Sequence, residues 1–474
     1  MVADWARDPI KQYNRISCSC YAAVAILVLV NVVEQPFARS LIVCTIPADT
    51  APGAPFSGSA HCGDRLRVIG EGATLSGKGQ SLEQLSRFFV MLVMSSVADI
   101  FGRKIAILIG LFSVFISTVL FVLASFSPAY AYSLFILAQG IQGAHGLEVL
   151  GLIICGDFAR ETGDAITWYA KREQYSLVTS FMFWFLGIYI QSLDLTDYTL
   201  VWILLSFGTM LILLDIVLYF PETMPIKDKN MPRGIIQTIV DEIRNYRELI
   251  TGSKWVASTA FESVFVAAGE GVFPFMVPFM MAYFGYSPMG AIFGLLPSLV
   301  VGALCIPLTK KLCHRVGHRN AWEMLFVYNL TKQYLLWPFM CTSAFGLVPI
   351  PIFFSYLNCL SSGVKPLRNS VIIKIVGIEN NARFTALVGI VKQLVGSAAT
   401  YLYAEAFDAK ATNYLSKLNI ISLSNLFWTI VYIIFFSLGI RDRVLSECDK
   451  LTIEESAKTT ANTATGSAEG LKKD

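Results

Sequence analysis

Ser95-Ser-Val-Ala-Asp99-Ile-Phe-Gly102-Arg103-Lys104 is a short polar turn between two apolar runs, Leu82–Val97 and Ile105–Phe126. A helix that crosses a bilayer needs roughly 20 mostly apolar residues, and both runs read as such helices joined at a membrane surface by the charged turn. Working outward, apolar runs at 17–37, 132–157, 174–191 and 200–220 complete a first set of six. Runs near 255–284, 291–308, 321–341, 347–374, 384–407 and 420–440 make a second set. The expected fold is an all-α integral membrane protein of twelve transmembrane helices in two six-helix bundles.

Composition agrees. Of 474 residues, 55% are hydrophobic and only 15% charged, against about 25% charged in soluble globular chains. Soluble cores stop growing well below this length, so the apolar surplus has to face lipid. The layout reads as a segment 1–16, a first bundle 17–221 containing a Gly/Pro/Ser-rich loop 38–80, and a hydrophilic linker 222–254. A second bundle 255–440 and a tail 441–474 follow, and the composition of the tail predicts disorder. Within the linker, apolar residues at Ile236, Ile239, Val240, Ile243 and Leu249 predict an amphipathic helix over 235–250. Residues 1–16 are polar and the first apolar run is uncut, so it reads as a span rather than a cleaved leader.

Lys and Arg set the orientation. The turns at 127–131, 192–199, 285–290 and 342–346 contain none. Their alternates carry Arg103 and Lys104; Arg160, Lys171 and Arg172; Lys310, Lys311, Arg315 and Arg319; and Arg383. Both termini and the linker are therefore expected in the cytoplasm and the 38–80 loop outside, with the plasma membrane as the default location. Cys44 and Cys62 share that loop and are candidates for a disulfide. None of the ten cysteines forms a C-x-x-C pair, which leaves no support for a zinc or dithiol site.

The turn at 95–104 resembles the G-x-x-x-D-R-x-G-R-R/K loop of the major facilitator superfamily. It matches at Asp99, Gly102, Arg103 and Lys104 and departs at Ser95 and Ile100. His314-Arg-Val-Gly317-His-Arg319 aligns on its glycine as a degenerate second copy, as parallel repeats in this superfamily predict. Gln139-Gly140 fits the family's R-x-x-Q-G stretch, with Ile136 in place of Arg, and Pro221-Glu-Thr223 closes the sixth span as P-E-T does in several subfamilies. The resemblance covers residues 17–440. It implies that Asp99, Gly102, Arg103, Asp157, Gly317 and Arg319 govern conformational gating, with Arg103 reaching Asp157 at the end of the fourth span. The subfamily features are similar to proton-coupled folate transporters and tetracycline-type antiporters.

Ionisable groups inside a span cost about 2.5–3.5 kcal/mol on insertion scales, which makes each a candidate for a cavity or a partner. Glu34, Glu148, Glu270, Lys365 and Arg368 are the candidate substrate contacts, and Glu270, Glu262 and His145 the candidate proton-coupling groups. Gly146-Leu-Glu148 aligns with Gly363-Val-Lys365 across the two halves, which would oppose an acid and a base near mid-membrane. Lys365 and Arg368 lie three apart on one helical face and suit an anion; snorkelling to the surface is the alternative. Glu270 lies between Gly269 and Gly271, where a broken helix favours a proton or cation site.

The expected function is secondary transport of a small organic solute by alternating access, with proton coupling and an organic-anion substrate as open refinements. Drug/proton efflux and a transporter-like receptor or scaffold without transport remain the alternatives. The sequence holds no Walker loop, H-E-x-x-H or nucleophile elbow, so neither an enzyme nor ATP-driven transport is expected. No cofactor, metal or nucleic-acid partner is implied. The expected partners are the solute, the lipid bilayer and protons, and the expected state is a monomer.

Overall fold

The computed structural model describes residues 9–41, 65–147, 150–151, 153–155, 165–192, 197–222, 235–252, 378–407, parts of 256–287, a few residues at 315–320, and 446. Nine α-helices of eight or more residues lie among the described residues: α1 (Pro9–Ser40), α2 (Arg65–Phe101), α3 (Arg103–Phe126), α4 (Ala131–Gln142), α5 (Ala165–Ser192), α6 (Thr199–Tyr219), α7 (Ile235–Gly252), α8 (Met276–Tyr283) and α9 (Ile378–Ala406). Four segments within them, Arg15–Ser40, Arg103–Phe126, Thr199–Tyr219 and Ala386–Ala406, are long and apolar enough to cross a membrane.

Large apolar side chains such as Phe112, Phe126, Leu200, Leu204, Phe207 and Leu218 are exposed along α3 and α6. In water such stripes would be unstable. In a bilayer they meet acyl chains, while each helix satisfies its own backbone polar groups. Inward, Phe37, Phe121, Phe135 and Trp202 interlock from four helices, with Phe121 stacked on Trp202 at 4.3 Å between centroids. This aromatic knot binds α1, α3, α4 and α6 into one bundle.

The helices differ from the sequence reading at several ends: α1 starts at Pro9 and α9 at Ile378, each ahead of its apolar run, and three further departures bear on the site. The stretch 65–81 is helical, so α2 starts well before Leu82, where the small and polar run Gly72-Ala-Thr-Leu-Ser-Gly-Lys-Gly79 reads as loop. Those small residues serve packing: a Cβ on Gly77 would overlap the Phe275 ring and lie 2.9 Å from the Ala404 Cβ. The charged stretch before the fifth span is helical from Ala165. The fourth span is broken: α4 ends at Gln142, a 3-10 turn spans Gly143–His145, and Gly146 takes the left-handed conformation at φ 53°. The linker helix α7 forms as expected. Tyr246 and Glu242 on it are buried, and Glu242 lies 3.7 Å from Arg383 at the start of α9.

α2 and α9 run antiparallel as the main seam between the first and second halves. Gly77 faces Ala404, Ser81 faces Ser397, Gln84 faces Gly396 and Met91 faces Gly389. Small residues on both helices allow close approach, which is how helices associate where lipid removes the hydrophobic drive.

Candidate functional site

The turn expected to govern gating is held by a carboxylate from the end of the sixth span. Gly102 has φ 100°, a conformation that disfavours any residue with a Cβ, and a Cβ there would overlap the Glu222 carboxylate. Glu222 accepts hydrogen bonds from the backbone N–H of Arg103 at 2.9 Å and of Lys104 at 3.4 Å. These are unpaired donors of the first turn of α3, where a carboxylate also meets the positive end of the helix dipole. Lys104 Nζ in turn donates to the Val217 carbonyl at 2.9 Å. The P-E-T closure of the sixth span is thus the cap of the third helix. Its role was invisible from sequence because 119 residues separate Glu222 from Arg103. The Arg103 side chain is buried. Asp99 lies on the last turn of α2, and its expected fellows Asp157, Gly317 and Arg319 lie outside the described residues.

Nearby, Arg15 and Asp215 form an ion pair at 2.5 Å, and Ser19 Oγ donates to the second Asp215 oxygen at 2.7 Å. This ties α1 to α6.

A cavity of about 240 Å³ opens between α1, the chain following Gly146 and α5. It extends along α1 from Ile16 to Asn31, about 22 Å at the helical rise per residue. Its polar lining is Ser17, Cys20, Tyr21, Asn31, Cys155, Arg172, Ser176 and Ser180, and the rest is apolar. Arg172 is its one charged lining residue among those described, and its guanidinium passes 3.4 Å from where a Cβ on Gly151 would stand. Sequence reasoning counted Arg172 only as a topology-setting charge; its place over the cavity depends on the early start of α5.

Beyond the cavity, a polar cluster sits inside the bundle. Glu34 is fully buried, with Glu83, Gln139, Gln142 and Arg87 as its electrostatic neighbours. Glu83 and Arg87 form an ion pair one turn apart on α2. Gln142 Nε2 donates to Asn31 Oδ1 at 2.8 Å, and Ser117 Oγ donates to Gln142 Oε1 at 3.2 Å. His145 is fully buried at the helix break, with Arg87 as its charged neighbour. Of the expected substrate and proton groups, Glu34 and His145 lie among the described residues, and each has Arg87 as a charged neighbour. Glu148, Glu262, Glu270, Lys365 and Arg368 lie outside the described residues. Glu83 and Arg87 escaped the sequence reading although their spacing, four residues inside a span, was a usable signal.

At the end remote from Gly102 the halves meet through polar contacts. Gln35 Nε2 donates to the Pro274 carbonyl at 2.8 Å, and Lys78 pairs with Glu405 at 2.8 Å. Phe273–Phe275 forms a 3-10 turn here, a break in the seventh span.

A family model described as Major Facilitator Superfamily matches residues 80–400. The chain belongs to the Major Facilitator Superfamily. No curated protein matches it in sequence. Among solved structures it is similar to the human organic anion transporter MFSD10 (TETRAN), at 13% identity and TM-score 0.62, over 88% of this chain and 99% of that one. It is similar to a D-xylose-proton symporter at 15% identity and TM-score 0.57, over 88% and 96%. The nucleoside transporter NupG matches at 13% identity and TM-score 0.56, over 90% and 98%. At such identities the likeness is one of fold: twelve helices in two six-helix bundles. This superfamily member is a multi-pass membrane transporter of small-molecule solutes and not an enzyme.

Proposed function

We propose that this superfamily member carries a small organic anion by alternating access, with its first-half solute contact at Arg172. The observation that carries the reading is the cavity of about 240 Å³ with a guanidinium and three serines on a mostly apolar wall. Such a lining fits a solute with one acidic end and an apolar body. Charge-assisted hydrogen bonds contribute about 1.5–3 kcal/mol, or about 10- to 100-fold in affinity. The fold itself does not select the solute, because relatives of equal likeness are named for an organic anion, a nucleoside and a pentose. Lys365 and Arg368 in the tenth span supply the matching cations of the second half.

Both termini lie in the cytoplasm on the positive-inside rule, the protein works as a monomer in the plasma membrane, and the cavity faces inward. The contacts between Gln35 and Pro274 and between Lys78 and Glu405 support a state closed on the outer side.

The test is uptake into proteoliposomes of labelled benzenesulfonate and a panel of aromatic carboxylates, in wild type and in Arg172→Ala and Lys365→Ala. Saturable uptake lost in Arg172→Ala supports the reading. Uptake of cationic amphiphiles instead would favour drug efflux. No movement of any solute by folded protein would favour the receptor reading.

A further inference from the structure

Asn31 stands at the far end of the cavity from Arg172, and a chain of hydrogen bonds that begins outside the cavity turns its amide. Ser117 Oγ on α3 donates to Gln142 Oε1 at 3.2 Å, and Gln142 Nε2 on α4 donates to Asn31 Oδ1 at 2.8 Å. Gln142 also donates to the Glu34 carboxyl. A carbonyl oxygen could not do so, and the –NH2 end of Gln142 therefore lies on that side. Ser117 and Gln142 are fully buried, so water does not compete for these bonds. An amide side chain has one acceptor oxygen and two N–H donors. With Oδ1 spent on Gln142, Asn31 has Nδ2 left, and among the described residues nothing accepts from it. What Asn31 offers the cavity is a pair of N–H donors.

The two ends of the cavity have a defined spacing. α1 and α5 run side by side in one direction: Tyr21 meets Tyr175 with ring centroids 5.5 Å apart, and a Cβ on Gly187 would overlap the Val32 side chain. The Arg172 guanidinium is level with Cys20, its electrostatic neighbour, and Asn31 lies eleven residues further along α1. At the rise of an α-helix that is about 16 Å. A hydrogen bond of about 3 Å at each end leaves about 10 Å between the polar ends of a bridging solute. The wall between them is Val24, Leu27, Val28, Leu147 and Leu150, with Ser176 and Ser180 along α5.

We propose that Asn31 is a second recognition point for the solute, and that the solute is an elongated anion with an apolar body and a hydrogen-bond acceptor, such as a carbonyl, about 10 Å from its acidic group. Arg172 takes the acid and Asn31 Nδ2 donates to the carbonyl. Gln142 is a positioning residue: it occupies the Asn31 oxygen and so fixes which end of the amide the solute meets. The inference rests on the anion-carrier reading above for its Arg172 end, whereas the preference for an acceptor at Asn31 can be read on its own.

The experiment is equilibrium binding of labelled biphenylsulfonates to the full chain in lipid nanodiscs. One compound carries an acetyl group at its far end, one an isopropyl group of like shape, and one an amino group. In wild type the acetyl compound is expected to bind about 2- to 10-fold tighter than the isopropyl compound, the worth of one neutral hydrogen bond. Asn31→Asp keeps an oxygen for Gln142 but has no N–H for the solute, and Asn31→Leu has neither, so the acetyl preference should vanish in both. Gln142→Leu, which frees the Asn31 amide to turn over, should narrow the gap between the acetyl and amino compounds. Each preference is a ratio within one protein, so a variant that folds poorly does not imitate the result. Equal binding of the acetyl and isopropyl compounds by wild type, tighter binding of the amino compound, or an acetyl preference that survives Asn31→Asp overturns the proposal. Arg172→Ala separates it from the carrier reading. If that variant binds all three compounds as wild type does and the acetyl preference stands, the anion reading falls and the Asn31 assignment remains. If it weakens all three alike and wild type shows no acetyl preference, the Asn31 assignment falls and the anion reading remains. If wild type binds none of them, both fall.

Discussion

Ser81 on α2 and Ser397 on α9 clasp each other reciprocally: each hydroxyl donates to the other's backbone carbonyl, at 2.9 and 2.8 Å, and the two Oγ atoms lie 3.2 Å apart. Both residues are buried, and the clasp joins the two halves of the transporter. Serine suits this place because it is small enough for close helix approach and still satisfies its own polar group where no water is available.

The clasp should make the pair a sensor of motion between the halves. Hydroxyls this close place cysteines at the same positions within disulfide reach. Ser81→Cys with Ser397→Cys is expected to crosslink on oxidation, read by mass spectrometry, and to stop transport until reductant is added. Full activity in the crosslinked protein would mean that this seam stays closed throughout the cycle.

Gly102→Ala should be among the most damaging single-methyl additions in the chain. The residue would be strained at φ 100°, and its Cβ would displace Glu222 from the first turn of α3. Such strain costs about 1–3 kcal/mol, expected as a lowered melting temperature in detergent. Glu222→Ala, which removes the cap without the strain, should cost about 0.5–2 kcal/mol, and Glu222→Gln less than Glu222→Ala.

The Lys78–Glu405 pair has half-exposed side chains, 40% and 50%, so solvent screens it and its worth to stability is small. Its value lies in holding one end of the seam. Lys78→Glu alone would set two carboxylates together and favour opening at that end, measured as increased labelling of a cysteine placed at Thr74, whose hydroxyl lies 3.4 Å from the Ala404 carbonyl. Adding Glu405→Lys should return the labelling to the wild-type level. A double variant no better than the single one would remove this pair from the gating contacts.

Asp215 is an acid within the sixth span, and the structure gives it to Arg15 and Ser19. With both charged side chains about one-third exposed, Asp215→Asn should cost about 1 kcal/mol or less. Gradient-driven solute uptake should persist, because neither residue touches the cavity. A complete loss of uptake in a stable Asp215→Asn protein would place this acid in the transport cycle.

Sequence alone determined the fold class and located the charged turn between the second and third spans. Apolar run length, charge scarcity and the alternation of basic turns are local properties, because the bilayer imposes one helix length and one charge asymmetry on every span. Asp99, Gly102, Arg103 and Lys104 were legible for the same reason: they are contiguous. Tertiary structure alone decided which distant groups meet. Glu222 became the cap of α3, Glu34 was enclosed with Glu83 and Arg87, Arg172 lined a cavity, and Ser81 met Ser397. Helix ends also moved where packing overrode composition. The Gly- and Ser-rich start of α2 reads as loop, yet it is helical because its small residues fit the seam against Phe275 and Ala404. Periodicity marks which residues share a helix face, but the partner across that face lies hundreds of positions away, and only the packed bundle chooses it.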